Sequence, residues 1–118
     1  MLQTILWLIL AAIHLLPALA FFRPSGLTQL YGVAADSPLF LLMHHRAGLF
    51  LAVFAACIWA AFIPEGRRLA VIVVGTSLVS FLYLYWSAGS PESLKRIALA
   101  DMIGLPALFA VAWMAFRP

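Results

Sequence analysis

Four apolar runs, each near the length a helix needs to cross hydrocarbon, govern what this chain can fold into. They are residues 2–22, 39–63, 69–86 and 94–116. About 20 apolar residues span a bilayer core as a helix, because a helix satisfies its own backbone polar groups where no water can. Of the 118 residues, 66% are hydrophobic and 9% are charged. A water-soluble domain of this size could not cover its surface with so few polar groups. The expected fold is a single all-α integral membrane domain over 1–118, an antiparallel up-down-up-down bundle of four transmembrane helices. Short connections make consecutive helices antiparallel neighbours. That arrangement puts both termini on one side, together with the Pro64–Arg68 turn.

The connections carry their own signals. Pro17-Ala18-Leu19-Ala20 resembles a signal-peptide cleavage site, but no Lys or Arg precedes it, so 2–22 is read as a retained span. Leu27, Leu30 and Tyr31 recur at helical spacing, which predicts a short interfacial helix over 25–31 ended by Gly32. Asp36-Ser37-Pro38 and Ser90-Pro91-Glu92 are cap-and-proline starts for the second and fourth spans. Tyr83, Tyr85 and Trp86 suit an interfacial aromatic belt. Arg67, Arg68 and Arg117 on the terminal side balance Arg23, Lys95 and Arg96 on the other, so the positive-inside rule sets no orientation. The formal net charge of +3 suits anionic lipid headgroups, and no basic stripe with aromatics suggests nucleic acid. Gly75, Thr76 and Ser80 offer a small-residue stripe, from which a homo-oligomer, most simply a dimer, or docking into a larger membrane complex is expected.

Ionisable groups inside the spans are the candidates for function, since each is expensive in lipid. They are His14, His44, His45, Arg46 and Asp101. His14 lies about eight residues before the first span's end, His45 about six after the second span's start, and Asp101 about seven after the fourth span's start. At ~1.5 Å per residue, all sit roughly 9–12 Å from the same membrane face. A shared polar layer is the expectation, with Tyr31 above it. Arg46 and Asp101 are expected to form a buried ion pair, because together they are neutral and arginine's fork fits a carboxylate. Neighbouring residues point ~100° apart on a helix, so only one of His44 and His45 should face the core.

Three readings of the histidines stay open. One is structural hydrogen bonding. The second is axial ligation of a haem b iron by His14 and His45 or His44, across facing helices. The third is proton handling or binding of a quinone head group, with Tyr31 included in the cofactor site. Zinc would need Arg46 to leave Asp101. Pro17 should kink the first helix and free the Ile13 carbonyl. Cys57, the one cysteine, reads as a small buried hydrophobe. No hydrolase, metalloprotease or phosphate-loop pattern occurs, and whether the protein is an enzyme stays open. The rival to a redox role is a non-enzymatic accessory or scaffold protein whose polar layer is structural.

Leu15-Leu16-Pro17-Ala18, Phe22-x-Pro24, Leu30-Tyr31-Gly32-Val33, Pro38, His45-Arg46-Ala47-x-Leu49-Phe50 and Ala98-x-Ala100-Asp101 together resemble the DoxX-like group of small four-helix bacterial inner-membrane proteins. The resemblance covers nearly the whole chain and implies a multi-pass protein of the bacterial inner membrane. Some members of that group are subunits of quinone-linked oxidoreductases, which implies redox partners here.

Overall fold

The computed structural model describes all 118 residues; its regular elements are all helices, with no strand. The helices are α1 (Leu2–Leu19), α2 (Ser25–Tyr31), α3 (Pro38–Phe62), α4 (Arg67–Ser87) and α5 (Lys95–Phe116). All except α2 are long and apolar enough to cross a membrane. The 25 residues of α3 give a rod of about 37 Å, longer than the ~30 Å hydrocarbon core, so it accommodates tilt.

Local chemistry explains the ends. Helix α1 continues through Pro17 and stops at Leu19, short of the Phe22 limit read from the sequence. Phe21 and Phe22 lie in the turn that follows, their rings edge to face at 5.2 Å. Gly32 closes α2 in the left-handed region at φ +70°, where a side chain would be strained. Ser37 caps α3, its Oγ accepting from the Leu39 N–H at 3.2 Å, with Pro38 at the first helical position. Single 3-10 turns at Pro64–Gly66 and Glu92–Leu94 lead into α4 and α5.

Helix α1 packs on α3 and on α5, while α4 packs on α5 and more sparsely on α3. Side chains join the ends of these pairs. Thr4 Oγ1 donates to the Ala61 carbonyl at 2.9 Å, and Arg68 Nε donates to the Ala115 carbonyl at 2.9 Å. The main core gathers Trp7, Leu10 and Ala11 with Cys57, Ala60, Val74, Leu78, Leu108 and Val111. Gly104 lets the helices approach at its centre: a Cβ there would stand 2.6 Å from Ile13 Cδ1 and 3.6 Å from Leu78 Cδ1.

Only 23 of 118 residues are buried, and Leu41, Ile103 and Trp113 are each over 70% exposed. An apolar surface on that scale is stable against lipid and not against water. Two surface expectations change. Tyr85 is buried beside Leu82 and Ala98 and stacks on Phe81, leaving Tyr83 and Trp86 as the exposed aromatics at the end of α4. Gly75 faces inward, since a Cβ there would meet Leu108 Cδ1 at 3.9 Å.

Candidate functional site

The site follows from which face each helix turns inward. On α1, Ile13, Leu16 and Pro17 follow the i, i+3, i+4 rule and His14 sits beside them. On α3, Arg46 and Phe50 are one turn apart. On α5, Arg96, Ile97, Ala100 and Asp101 make one stripe. Together with Leu30 of α2 and Phe81 of α4, these residues line a cavity of about 190 Å³. Its polar groups are His14, Arg46, Arg96 and Asp101, and the remaining walls are aliphatic or aromatic.

His14 is 2% exposed and has both ring nitrogens engaged. Nδ1 lies 2.9 Å from the Leu10 carbonyl, which can only accept, so Nδ1 carries the proton. In the neutral ring Nε2 is then an acceptor, and the Ser77 hydroxyl of α4 donates to it at 3.3 Å. His14 thus ties α1 to α4 across the molecule. Phe50 lies 5.9 Å from its ring, centroid to centroid.

Arg46 and Asp101 line the same cavity but make no salt bridge. The one salt bridge in the structure joins Lys95 and Glu92 on the surface at 4.0 Å. The expected ion pair is therefore corrected. The Arg46 guanidinium instead lies over aromatic faces, 4.4 Å from the Phe50 centroid, 5.3 Å from Tyr31 and 6.0 Å from Phe81. Ring quadrupoles attract a cation and cost less desolvation than direct contact with a buried carboxylate. Asp101, 9% exposed, faces the cavity with no hydrogen-bond partner from the protein.

The paired histidines do not join this layer. His44 donates from Nε2 to the Phe21 carbonyl at 2.8 Å, closing the end of α1 against α3. His45 is exposed on the outside of α3. The ~100° step between neighbours explains the split: with Arg46 turned into the cavity, His44 meets the α1–α2 turn and His45 points away. Neither histidine lines the cavity with His14, whose nitrogens are already taken. The residues therefore do not fit a haem b held by His14 and His45 or His44. No group of three or more His, Cys, Asp or Glu side chains is placed to hold a metal ion.

Tyr31 stands over Arg46 from the end of α2, outside the cavity lining itself. Arg96, read from the sequence as a headgroup contact, lines the cavity as well. Its spacing to Ala100, one turn on, placed it on the same face as Asp101, and that signal was readable. Compared with protein-family models, curated proteins and solved structures, the chain matches none, and the site's chemistry rests on its own geometry.

Proposed function

We propose that this chain is a multi-pass membrane protein, an up-down-up-down four-helix bundle whose polar cavity receives the head group of a quinone-class ligand. The end-to-end contacts of Thr4 with Ala61 and of Arg68 with Ala115 support the antiparallel order. With that order, both termini would lie on one side of the membrane. The resemblance to the DoxX-like group supports a bacterial inner-membrane location and a redox partner. A homo-oligomer or a larger complex fits the exposed faces of the helices.

One observation carries the functional reading. A cavity among the apolar helices holds guanidinium donors and an unpartnered carboxylate between aromatic and aliphatic walls. Such pockets, mostly apolar with a few convergent polar groups, suit small ligands. A quinone carbonyl would accept from Arg46 or Arg96, a quinol hydroxyl would donate to Asp101, and the flat ring would lie against Phe50 or Phe81. The test is calorimetric titration of the protein in lipid nanodiscs with a tailless methoxylated benzoquinone and its quinol. Saturable binding to the wild type that Arg46→Gln and Asp101→Asn abolish is the expected result. Absence of binding to the folded wild type removes the quinone reading.

A scaffold role is the second reading, and a specific observation favours it. Both nitrogens of His14 are spent on Leu10 and Ser77, so this histidine holds helices together rather than waiting for a ligand.

A further inference from the structure

A second space adjoins the cavity. Between α3 and α4, where packing is sparser than between α1 and α3, runs a groove of about 340 Å³ open to the lipid side. Leu49, Val53, Val73 and Leu84 give it aliphatic walls. Its three hydroxyls are already engaged, that of Ser77 by His14 Nε2 at 3.3 Å and the other two along their own helix. Thr76 Oγ1 donates to the Ile72 carbonyl at 2.7 Å, and Ser80 Oγ to the Ser77 carbonyl at 3.4 Å. The groove therefore presents an apolar surface suited to a hydrocarbon chain.

Arg46, Phe50 and Phe81 line both the groove and the cavity, so these three side chains are the partition between them. Of the three, Arg46 is the most weakly held. The Arg46 guanidinium makes no hydrogen bond to the protein and rests on ring faces, an interaction of about 0.5–2 kcal/mol. Behind it, Asp101 is more than nine-tenths buried and faces the cavity without a donor. We infer that a bilayer-dissolved, single-chain amphiphile enters sideways between α3 and α4, places its head between Arg46 and Asp101, and leaves its chain in the groove.

This inference rests on the quinone reading and adds the route and the chain site to it. The head must offer an acceptor to Arg46 and a donor to Asp101, as a partly or fully reduced quinone does. On its other side the cavity is lined by Leu16 of α1 and Arg96 of α5, both exposed. A hydrocarbon chain leaving there would run past a charge in the first turn of α5, whereas the α3–α4 groove offers it aliphatic walls. Lipid is as apolar as the groove, so the groove contributes little affinity. It acts by shape: when filled, it excludes a ligand with a chain and spares one without.

Two measurements test the inference in nanodiscs. In the first, a benzoquinone carrying a decyl chain ended by a photoreactive azide, kept reduced as its quinol like the tailless probe, is bound to the wild type and irradiated. Label on the groove residues of α3 and α4, such as Val53 and Val73, is expected. Label confined to α1 and α5 near Leu16, or none on a protein that binds the probe, overturns the route. In the second, Val53→Trp and Val73→Trp fill the groove, with Ile103→Trp on the far lipid face of α5 as control. The fillers should weaken the decyl quinone about tenfold or more while the tailless quinone and the control stay near wild type. Equal loss of both quinones, or loss of neither, in variants with wild-type circular dichroism overturns the chain site. If the tailless quinone fails on the wild type, the quinone reading falls and this inference falls with it. If it binds and only the chain effects are missing, the quinone reading stands alone.

Discussion

Removing the Ser77 hydroxyl should expose how much of the fold depends on the bond between His14 and α4. The Nε2–Oγ distance of 3.3 Å is longer than the ~2.9 Å typical of strong bonds, and both groups lie within the helices. Interhelical side-chain bonds in membranes average about 0.6 kcal/mol and reach about 1.7 kcal/mol in double-mutant cycles. This one belongs near the lower figure. Ser77→Ala should cost about 1 kcal/mol, since Nε2 is left without a donor in a buried site. His14→Phe should cost more, because the Leu10 carbonyl also loses the Nδ1 proton it accepts at 2.9 Å. The double variant should recover about 0.6 kcal/mol relative to additivity. Reversible unfolding in mixed micelles, followed by circular dichroism, reads all four corners. A coupling indistinguishable from zero would refute the tie. A coupling near 3 kcal/mol would mean a far stronger contact than a 3.3 Å hydroxyl–imidazole bond can make.

Other outcomes follow from the same geometry. Arg46 and Asp101 make no contact pair, so the cycle of Arg46→Gln with Asp101→Asn should give a coupling well below the ~3–5 kcal/mol lost on breaking a buried ion pair, measured in the same micelles. Gly104→Leu should cost at least about 3 kcal/mol by overpacking against Ile13 and Leu78. Gly104→Ala should cost much less, since Ile13 Cδ1 is a flexible end and alanine favours helix, and thermal unfolding will rank the two. Ser37→Ala should cost about 1 kcal/mol through loss of the α3 cap, visible as faster amide exchange in the first turn of that helix.

Much of the architecture was legible because the bilayer imposes it. Four runs long enough to cross hydrocarbon must be helices, and turn chemistry at Gly32 and Ser37 located two of their boundaries. Counting helix rise predicted one layer for His14, Arg46 and Asp101, and these three line one cavity. Azimuth was the undetermined quantity. Depth depends only on counting residues, but the direction of a side chain depends on how each helix is rotated against its neighbours, and one residue's step is ~100°. Packing alone turned Arg46 onto Phe50 rather than onto Asp101 and sent His44 to the Phe21 carbonyl. The same packing left His45 outside, buried Tyr85 and brought Arg96 to the cavity rim. Hydropathy sees a helix as a cylinder, and only its neighbours decide which stripe of that cylinder faces inward.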